Sequence, residues 1–270
     1  MINNFFLQRI MTSRSYKELL IIITSIMLLN FLGMYPFTYG LYQGHAIWRM
    51  TFVLVGNGES AFSFLSMTLY SVLPLFILWG VTINQISDQK SGFNVSVMAR
   101  LGYKSYLKSL YIGSGIASGL LFIGPLLLNH LVVFLSSLFV AKHYADPVGP
   151  EVLAPLKSEP IWQWGVWSWQ HLPLTDMLYS LGNTWIFMLF GTILVSLGLI
   201  VTKLYQLVLL SLALYLPFWA ATGSLSVNKL MQPLIPAYLN HLIFGYLILT
   251  VGAVVFNSLV YHYFTRWHTS

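Results

Sequence analysis

Residues 84–110 read NQISDQKSGFNVSVMARLGYKSYLKSL. The stretch carries four of the thirteen Lys and Arg residues of the chain, Lys90, Arg100, Lys104 and Lys108, beside a single acid, Asp88. On either side the sequence turns apolar, over residues 61–83 before it and 111–141 after it. A polar, helix-like loop between two such runs sets the scale on which the chain divides. Four further runs of the same kind lie at 19–40, 177–201, 204–221 and 239–264. Each meets or nearly meets the roughly 20 residues that cross about 30 Å of hydrocarbon as a helix.

Only 7% of residues are charged, 57% are hydrophobic and the mean hydropathy is +0.74. No soluble fold could cover so much apolar surface with so few polar side chains. The expected fold is therefore an all-α integral membrane protein of about six spans, with residues 1–18 as an N-terminal interfacial segment and 19–270 as the transmembrane domain. Helices are expected because a bilayer interior leaves no water for backbone groups, and the alternating pattern of a barrel strand is absent. The first run starts late and lacks a small-residue cleavage pattern, so it reads as a retained span.

Orientation follows from charge. With six spans and both ends inside, the inner segments hold nine cations against Glu18 and Asp88, or +7. The outer segments hold Arg49, Lys142, Lys157 and Lys229 against five acids, or −1. That asymmetry places both termini in the cytoplasm, with 84–110 a cytoplasmic loop and 142–176 an extracellular one. It also accounts for the pI of about 9.4 without a nucleic-acid partner.

Residues 1–18 mix Phe5, Phe6 and Ile10 with Arg9, Arg14 and Lys17. They read either as a helix in the inner interface, its basic groups toward anionic headgroups, or as a frayed basic tail. In the outer segment Trp162, Trp164, Trp167 and Trp169 suit the headgroup level of the outer leaflet. Residues 222–238, with Gly223, Pro233 and Pro236, fit a broken helix dipping into the outer leaflet or an ordinary outside loop equally well.

Asp, Glu, Lys and Arg are absent from the middle of every run, which argues against an ion-coupled carrier. Asn30, Asn129, His130, Asn183, Asn240, His241 and Asn257 sit in or at the ends of spans, where amides and imidazoles usually hydrogen-bond between helices. His130 and His241 each follow an Asn and are candidates for a pathway. Gly115 and Gly119 form a small-xxx-small pair that lets another helix approach, within the chain or across a dimer. Prolines 36, 74, 125 and 217 fall within runs and are candidate kinks.

Catalytic and nucleotide motifs are missing. The sequence has no H-E-x-x-H, no G-x-S-x-G and no GKS or GKT phosphate loop. His171 and Asp176 are five apart, off the helical spacing, and His45, His143, His262 and His268 have no ligand partner at metal spacing. Without cysteine there is neither a disulfide nor a thiolate metal site.

The loop itself offers chemistry. Phe93, Val97 and Leu101 recur at four-residue steps and would present an apolar stripe to a partner's groove, while Arg100, Lys104 and Lys108 meet acidic groups or lipid phosphate. Gly92 and Gly102 supply tight turns that would fix the direction of the helix between them. A helix lying idle on the inner leaflet is the plainer reading of the same residues.

Asp88-Gln-Lys-Ser-Gly92, then Phe93 to Leu101 with Arg100, then Gly102-Tyr-Lys-Ser-Tyr106 resembles the coupling-helix region of ABC-2 type permeases, with Asp88 where Glu is usual and Gly102 near a common Pro. About six spans, an N-terminal interfacial helix and a docking loop between spans two and three extend the resemblance over the chain. It implies a transmembrane subunit in the cytoplasmic membrane, paired with an identical or homologous subunit and with cytoplasmic ATPase subunits that hold the ATP and Mg. It also implies that this chain carries no cofactor or catalytic residue and exports a lipid-like, peptide or drug substrate. Asp88, Gly92, Phe93, Val97, Arg100, Leu101, Gly102 and Lys104 would then dock the partner. A membrane enzyme acting on lipids or peptides through His130 and His241, and a secondary carrier, are the alternatives.

Overall fold

The structure, a computed structural model, describes residues 3–41, 71–139, 167, 171–201, 203–221, 226–231 and 239–267. The loop at 41–60, the first half of the run at 61–83 and most of the Trp-bearing outer segment fall outside these residues, apart from Trp167. The described chain is helical: α1 Asn3–Thr12, α2 Arg14–Leu41, α3 Leu73–Ile77, α4 Ile83–Lys90, α5 Phe93–Leu101, α6 Tyr103–Phe139, α7 Leu172–Ile200, α8 Leu204–Ala220, α9 Val227–Met231 and α10 Leu239–Trp267. A π-helical segment, Leu78–Thr82, joins α3 to α4. Pro74 stands in the first turn of α3, where its missing N–H has no partner to lose. Pro125 and Pro217 lie inside α6 and α8.

Among the described residues three helices are long and apolar enough to cross a bilayer: Tyr103–Val132, Met177–Ile200 and Leu239–Arg266. Leu204–Ala220 is apolar but shorter. These establish an all-helical chain with membrane-length segments, the coarser part of the expected architecture.

The bundle is built round α7. It runs antiparallel to α6, since an added Cβ at Gly115 would meet Thr192 while one at Gly119 would meet Met188 and Thr184. The small-residue pair is thus used within the chain. Phe122 and Phe187 stack at 4.4 Å in the same seam. Toward α10 the helices run parallel: Trp185 donates to Thr250 at 2.9 Å, and Asn257 donates to Thr192 at 2.9 Å while accepting from Ser196 at 2.6 Å. Ser196 also pairs with Tyr111 of α6 at 2.6 Å, so one polar chain crosses three helices. Asn257 joins helices, as its residue type and depth predict. Helix α10 is otherwise peripheral, with 17% of its apolar window buried against 67% for α7.

Helix α9 is the described part of residues 222–238, with Ser226 before it. Val227, Leu230 and Met231 are fully buried, so this is no ordinary loop. Its last turn leaves carbonyls without intrahelical partners; Tyr246 donates to Leu230 O at 2.8 Å and Asn183 to Met231 O at 3.3 Å.

A candidate docking hinge

Helix α1 and the loop at 84–110 meet at one end of the bundle. Ser13 divides α1 from α2: its hydroxyl donates to Ile10 O at 2.7 Å and accepts from Tyr16 N at 3.3 Å, capping one helix while closing the other. Asn84 donates to the same hydroxyl at 3.2 Å. Phe6 and Ile10 are buried, and Phe6 packs edge-to-face on Tyr106 at 5.4 Å. Gly113 permits this approach, for a Cβ there would lie 3.0 Å from Phe6 Cβ and 3.1 Å from Leu7 N. The N-terminal segment is therefore an ordered helix seated on the protein, not a frayed tail.

Its charge is spent internally. Arg9 Nε donates to Asp88 Oδ2 at 3.1 Å, and Nη2 pairs with Oδ1 as the second arm of a bidentate contact. The guanidinium also lies 4.0 Å over the Phe93 ring, which Phe5 stacks on at 6.4 Å. Arg9 thus ties α1 to the last turn of α4 and the first of α5 at once.

Two glycines set the direction of α5. Gly92, at φ 71° and ψ 5°, ends α4 in the left-handed conformation, its N–H reaching Gln89 O at 3.3 Å. Gly102, at φ 75° and ψ 147°, closes α5 through a 2.9 Å bond to Met98 O, and its own carbonyl receives Tyr106 N at 3.0 Å to start α6. An added Cβ would meet nothing within 4 Å at either place. The demand for glycine is conformational, as the tight turns in the sequence imply.

The apolar stripe is covered in part. Val97 is buried and Phe93 and Leu101 are half-buried, packed with Phe6, Tyr106 and Leu110. Phe5 and Arg9 of α1 lie against Phe93. Asp88 is likewise turned inward onto Arg9 instead of outward to a partner. What remains is a groove of about 730 Å³, with Phe5 and Arg9 on one wall and Phe93, Val97, Arg100 and Leu101 on the other. Arg100 on its wall is exposed, as are Val95 and Lys104 elsewhere on the loop.

Of the two inner acids, Glu18 has a local answer, accepting from Arg14 at 2.7 Å one helical turn away. Asp88 has no basic residue three or four positions off. That was the available signal for a long-range pair, although it does not name Arg9.

The ends of α7 and α10 reach the same region. Gln89 donates to Gly198 O at 3.1 Å, and Val195, Leu199, Tyr261 and Phe264 join the cluster round Phe6 and Val97. The described cations of the N-terminal segment, the loop, the α7–α8 turn and the end of α10 are therefore gathered at one end of the bundle, here called the basic end.

The structure does not place His130 and His241 at this hinge. His130 Nδ1 contacts Leu126 O of its own helix at 2.6 Å, and His241 is exposed in the first turn of α10. Neither lines the groove, and among the described residues no group of three or more His, Cys, Asp or Glu could hold a metal. In comparisons with protein-family models, curated proteins and solved structures, the chain matches none.

Proposed function

We propose that this chain is the membrane subunit of an ATP-driven transporter of the ABC-2 permease type. It crosses the membrane six times with both ends in the cytoplasm, pairs with a second such subunit, and takes its power from cytoplasmic ATPase subunits that hold ATP and Mg. Its substrate is a lipid-like, peptide or drug molecule carried outward.

One observation carries the reading: α5 is a short helix fixed between two left-handed glycines and braced through Arg9 and Asp88 to α1 and α4. A lever must be stiff to transmit a push, and α5 joins directly to α4 before it and to α6 after it. Motion of a partner seated on α5 would therefore move α4 and the long helix α6 rather than bend a loop. The exposed cations Arg100, on the groove wall, and Lys104, at the start of α6, suit an acidic partner surface.

Affinity purification of the full chain from its native membrane tests this. A co-purifying ATPase with a GKS or GKT phosphate loop is expected, and loss of that partner in Arg100→Glu/Lys104→Glu. Because the chain has no cysteine, Lys104→Cys gives a single thiol. Labelling of that thiol by a membrane-impermeant reagent from outside intact cells would overturn the topology and the proposal with it.

A further inference from the structure

A second feature, sharing no lining residue with the hinge groove, is an apolar channel along α7 and α10. At the basic end a cavity of about 860 Å³ is lined by Leu199 and Ile200 of α7 and by Phe256, Leu259 and Tyr263 of α10. A second cavity, of about 230 Å³, continues between α7, α8 and α10, lined by Phe190, Leu214, Phe218, Ile248 and Gly252, and again by Phe256. Phe256 lines both, so the two cavities adjoin at its ring. Together they follow α10 from Ile248 to Phe264, about 24 Å, more than the roughly 15 Å depth of one leaflet.

Two cations follow closely in the chain on residues that line the first cavity. Lys203 stands in the turn three residues beyond Ile200, and Arg266 two residues beyond Phe264, both exposed. The described parts of α7, α8 and α10 contain one acid, Asp176, at the opposite end of α7. We propose that this channel is a binding site for an anionic phospholipid, with an acyl chain between α7 and α10 and the phosphate at Lys203 and Arg266. A second copy of the chain fits less well. A two-fold axis along the membrane normal would set Lys203 and Arg266 of one copy facing those of the other. A lipid phosphate supplies the opposite sign.

Gly252 gives a clean way to block the site, since a side chain there would project into open space and the helix would gain propensity. The full chain, stripped of lipid in neutral detergent, is titrated with dioleoyl phosphatidylglycerol or dioleoyl phosphatidylcholine, and retained lipid is counted by native mass spectrometry. Preferential retention of phosphatidylglycerol is expected. Lys203→Ala/Arg266→Ala should weaken that retention about fivefold per charge removed and abolish the headgroup preference. Gly252→Leu should lose both lipids while keeping the wild-type melting temperature, and Gly252→Ala should retain them.

Equal retention of the two lipids by the wild type, or undiminished retention by Gly252→Leu, would overturn the site. Conversion of a dimer to a monomer by Gly252→Leu would identify a second copy as the occupant, and would overturn it too. If Gly252→Leu melts early, an acyl-chain diazirine phosphatidylglycerol decides instead: photolabel on α7 and α10 peptides supports the site, and label elsewhere refutes it. None of these results depends on the ATPase partner.

Discussion

Arg9 and Asp88, 79 positions apart in the sequence, form a bidentate ion pair at the basic end of the bundle, with the Asp88 side chain 9% exposed and that of Arg9 38%. The pair is where α1, α4 and α5 are joined. Its partial exposure lowers its worth, because a solvent-screened pair contributes little while a buried one is costly to break.

Breaking the pair from one side should therefore cost an intermediate amount. Asp88→Asn or Arg9→Ala is expected to lower stability by roughly 1–2 kcal/mol, read as a fall in melting temperature in detergent. The double variant should lose less than the sum of the singles, since neither leaves an uncompensated charge. Strict additivity would show that the two residues do not interact.

The two left-handed glycines are expected to differ in tolerance. Gly92→Ala should cost about 1 kcal/mol, and Gly92→Asn less, because Asn adopts that conformation more readily. Gly102, at φ 75° and ψ 147°, lies near a region that is essentially glycine's own, so Gly102→Ala should cost about 1–3 kcal/mol. Melting curves of the three variants give the order directly.

Glycines inside helices separate by what faces them. A Cβ at Gly191 would lie 2.7 Å from Ser118 Cβ and 3.1 Å from the Ser114 carbonyl oxygen, so Gly191→Ala must push α6 and α7 apart. It should destabilise by about 1–3 kcal/mol, as overpacked sites do. Gly252→Ala meets nothing and should be neutral or stabilising by up to about 1 kcal/mol.

Asn257 holds the polar chain between α7 and α10. Asn257→Leu removes the acceptor for Ser196 and the donor to Thr192. The expected loss is about 0.6–2 kcal/mol, modest because the Thr192 hydroxyl already donates to Leu189 O and that of Ser196 can turn to a carbonyl of its own helix. A larger loss would mean that the chain also positions α10.

Much of the architecture was legible. The apolar runs at 19–40, 177–201, 204–221 and 239–264 lie in or largely coincide with α2, α7, α8 and α10, because in such runs only a helix satisfies its own backbone. The turns at Gly92 and Gly102 were legible for a related reason, since glycine is the residue that such conformations require.

The hinge was half legible. Spacing put Phe93, Val97 and Leu101 on one face, and it was right that this face is apolar and sought cover. Periodicity carries no information on which surface supplies the cover, however, and here α6 and α1 both supply it. The inward turn of Asp88 was hidden for the same reason: its partner lies beyond any local spacing rule.

The sequence by itself determined the helical class, the membrane-length segments, the concentration of positive charge in a few segments, and the left-handed turns that bound α5. These follow from composition and local backbone preference, which act over a few residues. Only the tertiary structure decided that Arg9 meets Asp88, that Gly115 and Gly119 pack within the chain, that α9 is buried, and that a channel opens between α7 and α10. Those are contacts between distant segments, set by which faces fit once several helices pack together, and no single segment specifies its neighbour.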